Sequence, residues 1–234
     1  MKGRILVAED EKNIRDFVVM NLQHNDYEVI SAENGREACE KFERDEEGID
    51  MAVLDVMMPE KDGLTVCKEI LERDPNTGVI FLTAKGEEMD KVQGLLTGAD
   101  DYITKPFSPS ELMARIESVT RRVKKKASPK KGKPLSSGRY IFDLRARTLT
   151  KDGRRIDLTN IELQLMEYFL QNRNRTVTRK EILQRVWGEE EDSDLKIVDV
   201  NVRRLRIKIE DDPGKPESLV TIWGMGYKWV EKDD

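Results

Sequence analysis

The chain has 234 residues, 38% of them hydrophobic and 37% charged, and a net charge of −5. That length allows one or two domains, each with an ordinary core under a heavily charged surface. No apolar run approaches the ~18 residues of a membrane span, and Met1-Lys2-Gly3-Arg4 leads into acid too soon for a signal peptide, so the expectation is a cytoplasmic protein with no membrane partner.

Taken in order, short apolar runs at 4–8, 27–30, 51–54, 79–82 and 101–103 alternate with helix-period stretches at 12–23, 35–43, 64–73, 87–97 and 109–122. The last of these opens with Ser108-Pro109-Ser110-Glu111, a capping box with Pro at the first helical position. Five such alternations predict an α/β domain, a doubly wound five-stranded parallel sheet with helices on both faces. Cys39 and Cys67 fall in predicted helices without metal or redox spacing and read as buried thiols of a reducing compartment. Residues 1–122 carry a net charge of −11.

The residues that end the strands carry the chemistry. The first strand ends in Glu9-Asp10, the third in Asp55 and the fourth in Thr83, and the fifth leads to Lys105. Right-handed crossovers open all these ends on one edge of the sheet. Three carboxylates gathered there repel one another, and a hard divalent cation with oxygen ligands, such as Mg²⁺, removes that conflict. The cation, Lys105 and the Thr83 hydroxyl can serve phosphate oxygens, leaving one carboxylate as a phosphoryl acceptor.

Ile5-Leu6-Val7-Ala8-Glu9-Asp10-Glu11, Leu54-Asp55-Val56-Met57-Met58-Pro59, Asp62-Gly63, Leu82-Thr83-Ala84 and the run from Gly98 through Lys105-Pro106-Phe107 resemble the flavodoxin-like receiver domain of bacterial response regulators. The resemblance covers residues 1–122. It implies that a sensor histidine kinase phosphorylates Asp55. It also implies that Glu9, Asp10, Asp55 and the Met57 carbonyl hold Mg²⁺ or Mn²⁺, that Lys105 pairs with the phosphate before a cis Lys105-Pro106 bond, and that Thr83 and Tyr102 form a switch pair. Receivers of this kind form a homodimer through a face on which Lys91, Asp100, Asp101, Glu111 and Arg115 fall here.

Residues 123–137 include six lysines and two prolines without apolar periodicity, and read as a basic, flexible linker. Beyond it, 138–234 has no net charge. Short strands at 139–144, 148–151 and 154–158 precede two capping boxes, at Thr159-Asn160-Ile161-Glu162 and Thr178-Arg179-Lys180-Glu181, each opening a helical period. A third helix spans about 196–210, and 219–223 and 227–230 flank a Gly224-Met225-Gly226 turn as a hairpin. In the third helix Val198, Val202, Leu205 and Ile209 form a core stripe. Lys196, Val200, Arg203, Arg204 and Ile207 lie opposite, suited to phosphate, guanine and thymine-methyl contact.

This order is that of a smaller α+β winged helix-turn-helix domain. Val186-Trp187-Gly188, the stretch from Val198 to Lys208 and Thr221-Ile222-Trp223-Gly224-Met225-Gly226-Tyr227 resemble the effector of the OmpR/PhoB family. The resemblance implies a double-stranded promoter DNA partner, with Asn201 and Lys208 added to the DNA-binding set, and allows RNA polymerase contact at 188–194. Trp223 departs from the family's usual Arg, and Asn201 from a common His. The expected function is a phosphorylation-controlled transcription regulator rather than an enzyme. A phosphatase would want a second acid close after Asp55, where Val56 and Met57 stand. A kinase would want a nucleotide motif, and the single histidine, His24, has none around it.

Overall fold

The computed structural model describes residues 1–84, 97–124, 133–188 and 195–231. Contacts divide the chain into two units, Met1–Lys124 and Lys125–Asp234.

In the first unit the apolar runs form β1 (Gly3–Ala8), β2 (Tyr27–Ala32), β3 (Met51–Asp55), β4 (Gly78–Ala84) and β5 (Asp101–Lys105). All pair in parallel, in the order β2-β1-β3-β4-β5. The winding reverses between β1 and β3, and crevices for ligands open at such a reversal, outside the carboxyl ends of the strands. Alternate residues face opposite sides. Ile5, Val7, Val53, Ile80, Leu82 and Ile103 pack against α1 (Lys12–His24) and α4 (Pro109–Lys124). Leu6, Ala8, Ala52, Leu54, Val79 and Phe81 pack against α2 (Gly35–Arg44) and α3 (Gly63–Arg73). β3 is buried along its whole length, which is why it reads as an unbroken apolar run. Each fully buried aliphatic side chain contributes ~1.5–3 kcal/mol, so these two layers hold the sheet edge in place. Cys39 and Cys67 are buried in them, while His24 ends α1 in solvent. The helix expected at 87–97 lies, except for its last position, outside the described residues.

In the second unit β6 (Leu135–Ser137), β7 (Tyr140–Asp143), β8 (Thr148–Lys151) and β9 (Arg154–Ile156) form an antiparallel sheet in that order. Then follow α5 (Asn160–Gln171), β10 (Thr176–Thr178), α6 (Arg179–Val186), α7 (Lys196–Ile209), β11 (Leu219–Ile222) and β12 (Gly226–Trp229). The last three strands pair as β10-β12-β11. Glu162 accepts from the Thr159 N–H at the start of α5; at α6, Thr178 and Glu181 cap each other reciprocally. Phe142, Leu149, Leu165, Phe169, Trp187, Leu205 and Trp229 are buried together with the expected stripe of α7.

One expectation changes, and one strand is added. The linker reading of 123–137 was too long at both ends: α4 runs to Lys124, and 135–137 pairs with β7, with Ser137 accepting from the buried Trp229 indole. Three residues carry too little periodicity to announce a strand whose partner supplies the order. β10 was missed for the same reason. Its close pairing also explains Gly226, where a Cβ would meet the Val177 carbonyl oxygen at 2.0 Å. Among the described residues no helix is long and apolar enough to cross a membrane.

Candidate functional sites

The register of the parallel sheet assembles the first site. Ala8 pairs with Leu54, Asp55 with Leu82 and Thr83 with Thr104, so Glu9, Asp55, Thr83 and Lys105 emerge at one edge. Oxygens of Glu9, Asp10 and Asp55 lie within 4.8 Å of one another; Glu9 and Asp55 are buried and Asp10 is exposed. The Lys105 ammonium stands 2.8 Å from both Glu9 Oε2 and Asp55 Oδ2. Burial, and next to it the neighbouring Asp55 charge, push the Glu9 carboxyl up to about 7 against the opposing pull of Lys105. Burial depresses the Lys105 ammonium, but its bonds to Asp55 and Glu9 outweigh that and hold it above its ordinary value. One cation therefore does not balance the carboxylates. Thr83 is buried and its hydroxyl oxygen has no hydrogen-bond partner among the described residues. A crowded, under-neutralised carboxylate set beside an orphan hydroxyl fits a hard cation and an oxyanion.

The loop after β3 approaches this edge closely. The Met57 N–H donates to Asp55 Oδ1 at 3.3 Å, and the Gly63 N–H donates to the Val56 carbonyl at 3.0 Å. A Cβ on Gly63 would meet the Asp55 carbonyl oxygen at 2.0 Å, so the turn admits no side chain there. Tyr102 is half-buried against the α2–α3 layer. The Lys105-Pro106 bond is cis. Arg15 escaped the sequence reading. It is buried on α1, donates to the Glu9 and Asp10 carbonyls at 2.7 and 3.2 Å, and pairs with Glu33 at 2.8 Å. The available signal was its place on the stripe of Val18 and Leu22, three and seven residues on, where a cation needs a partner.

The face expected to pair two copies is less open than its charges suggested. Asp100 and Asp101 are buried. Asp100 accepts from the Val79 N–H at 2.8 Å, and Asp101 pairs with Arg115 of its own chain at 3.3 Å. Glu111 is exposed. Lys91 lies outside the described residues.

In the second unit, α7 presents three faces rather than two. Val198, Val202, Leu205 and Ile209 are fully buried, as expected. Three residues expected in the DNA-binding set bond within the domain instead, Asn201 inside α7 and the other two to α5. Asn201 is buried and donates to the Ile197 carbonyl. Arg204 is buried and pairs with Glu162 at 3.1 Å, and Lys208 reaches the same carboxylate at 2.7 Å. The buried Glu162 charge draws these cations inward, which a helical wheel cannot show. Val200, expected in the open, is buried. Lys196, Arg203, Ile207 and Lys208 are exposed, and intervals of seven and four keep the first three on one face.

That face is locked to the hairpin. Asp199 accepts from Arg179 Nε at 2.7 Å and from the Tyr227 hydroxyl at 2.6 Å. Arg206 donates to the Leu219 carbonyl and to Thr221 Oγ1, while the guanidinium groups of Arg179 and Arg206 lie 5.1 and 5.3 Å from the Tyr227 ring. Burial, and then the bond to Asp199, push the Tyr227 phenol up to about 12. The loop proposed for RNA polymerase, 188–194, is described only at Gly188.

Two family descriptions match the chain. "Response regulator receiver domain" covers residues 5–117 and "Transcriptional regulatory protein, C terminal" covers 153–229. A probable transcriptional regulator, ycf27, of Porphyridium aerugineum is 41% identical over all of this chain and 98% of its own length. The sensory transduction protein RegX3 of Mycobacterium tuberculosis is 40% identical over 96% of this chain and 97% of its own. A solved structure of a RitR mutant superposes with a TM-score of 0.77 at 25% identity, covering 98% of this chain and all of that one.

Proposed function

Since the chain belongs to the OmpR/PhoB family of response regulators, transcription regulators that join a receiver to a DNA-binding effector, we propose that Asp55 is its phosphoryl acceptor. The observation that carries the assignment is the placing of the Asp55 carboxylate against Lys105, within 4.8 Å of Glu9 and Asp10, at a sheet edge where the buried Thr83 hydroxyl has no partner among the described residues.

An Asp55 carboxylate oxygen attacks the phosphorus of a phosphohistidine on the partner kinase; the new O–P bond forms as the P–N bond breaks and the imidazole leaves. The Lys105 ammonium pairs with the phosphoryl oxygens, and the Thr83 hydroxyl turns to donate to them. Glu9, Asp10, Asp55 and the Met57 carbonyl are the groups that would hold Mg²⁺ or Mn²⁺. The bound ion supplies positive charge that offsets the carboxylates and the incoming phosphoryl group. Arg15 keeps the Glu9-Asp10 backbone in place. With no second acid or base close after Asp55, the chain acts as an acceptor rather than as a turnover enzyme. The movement of Thr83 frees space into which Tyr102 turns, biasing a two-state equilibrium toward a homodimer. The effector binds promoter DNA through Lys196, Arg203 and Ile207, and the protein works in the cytoplasm beside the chromosome.

The test is mass spectrometry after incubation with acetyl phosphate and Mg²⁺. Wild type should gain one phosphoryl group and Asp55→Asn none, because an amide is a poor nucleophile. Label on the Asn variant would overturn the assignment. Asp10→Asn should keep the reaction but demand more Mg²⁺, since one carboxylate leaves the metal shell.

A further inference from the structure

The tip of the effector's hairpin is apolar and exposed. Trp223 is 89% exposed and Met225 56%, on either side of Gly224, whose φ of +73° makes the turn. Ile207, 57% exposed, lies on the open face of α7. Among the described residues of the second unit, Ile141 is the only other exposed large apolar side chain, so this material is concentrated on the side that reads DNA. The stretch 219–227 contains neither Lys nor Arg, so the tip has no cation of its own for a phosphate.

The tip is nevertheless held firmly. The β11–β12 ladder runs from Leu219–Trp229 to Ile222–Gly226, and Met225 N–H closes the turn on the Ile222 carbonyl at 3.0 Å. Trp223 begins one residue beyond the last pair. At the pair before it, Thr221 and Tyr227 are bonded to Arg206 and Asp199 of α7. The hairpin backbone that carries the indole and the Lys196–Arg203–Ile207 face are therefore parts of one assembly.

We propose that Trp223 is an apolar wedge that enters the minor groove and inserts at a base step beside the major-groove segment read by α7. Resting on the DNA-reading assignment above, this gives the wing its own specificity. A helix in the major groove leaves the neighbouring element over the adjacent minor groove, where apolar side chains part base steps and kink the duplex. The easiest step to part is pyrimidine–purine. The indole carries a donor and no acceptor; A·T pairs offer only acceptors in the minor groove, whereas G·C pairs add a competing amino group. The preferred step is accordingly TA. Binding at the tip comes from stacking rather than from ion pairing, so it does not add to the salt dependence.

The experiment uses the full chain and duplexes it selects from a random library. The selected duplexes should carry a TA step at a fixed distance from the contacts of α7. Replacing that step with a G·C-containing one should weaken wild type about ten-fold and leave Trp223→Ala nearly indifferent. Trp223→Ala should itself bind the selected duplex about ten-fold more weakly with an unchanged salt slope, and Trp223→Phe should recover most of the loss. If Arg203→Ala loses affinity while Trp223→Ala binds like wild type, the wedge is wrong and the DNA reading stands. If Trp223→Ala loses equally on every duplex, or loses self-association without coupling to the step, the indole is a packing group and the wedge is again wrong. If wild type enriches no sequence, both assignments fall.

Discussion

Arg203 and Arg204 are the same side chain in two environments one residue apart. Arg203 stands open on α7, while Arg204 is buried against Glu162. Their replacements should fail differently. Arg203→Ala should leave the melting temperature nearly unchanged and weaken DNA binding. A lost base contact would cost ~1–3 kcal/mol and relax one position, and a lost phosphate contact would lower the salt slope by about one. Arg204→Ala strips a partner from a buried carboxylate and should cost about 3 kcal/mol of effector stability, the lower end for such a break because Lys208 still reaches Glu162. Urea unfolding and salt-dependent binding on both variants separate the two. A stable Arg204→Ala protein that binds DNA weakly would return Arg204 to the reading face.

At the scale of the element, the hairpin is oriented by α7 rather than by its own turn. Two short strands joined by a tight turn are marginal alone. Here the Asp199–Tyr227 bond and the two Arg206 bonds tie both strands to one helix. Tyr227→Phe keeps the ring between Arg179 and Arg206 and removes only the hydroxyl, so it should cost ~1 kcal/mol. Hydrogen exchange on the full chain should show faster exchange for the amides of Ile222 to Gly226, with the protected core of α5 unaffected. Unchanged exchange at the tip would assign the anchoring to Arg206 alone. In the receiver the corresponding device is the Gly63 turn, which lets the chain after β3 double back over the Asp55 backbone.

For the whole molecule, the proposed control of DNA binding rests on self-association. Asp101 and Arg115 already pair within one chain, so an intermolecular pair must share or exchange these partners, and among the described residues of this face Glu111 is an exposed charge outside that pair. An exposed pair contributes only ~0–1 kcal/mol, and two-fold symmetry repeats it, so the dimer should be weak without phosphorylation or DNA. Beryllofluoride with Mg²⁺ should shift wild type toward a dimer in sedimentation, and Glu111→Lys should weaken that dimer about ten-fold, because each lost attraction becomes a repulsion. A wild type that stays monomeric with the mimic would sink this face as the switch surface. With dimerisation, two copies of α7 meet half-sites about one DNA turn apart.

The strand–helix alternation, the placing of Glu9, Asp10, Asp55, Thr83 and Lys105 at strand ends, the two capping-box signatures and the core stripe of α7 were all legible in the sequence. They depend on periods of two and 3.6 and on chain direction, which are local properties. Arg15 under the acidic pair, the strands at 135–137 and 176–178, and the pairing of Arg204 and Lys208 with Glu162 were not. Each depends on a partner far along the chain: the Glu9 and Asp10 carbonyls and Glu33, the strands β7 and β12, or the packing of α7 against α5 and the Glu162 carboxylate. A helical wheel separates core from surface, but it cannot say which surface meets water and which meets a buried opposite charge. The cost of leaving such a charge unpaired decides that, and only the tertiary structure brings the pair together.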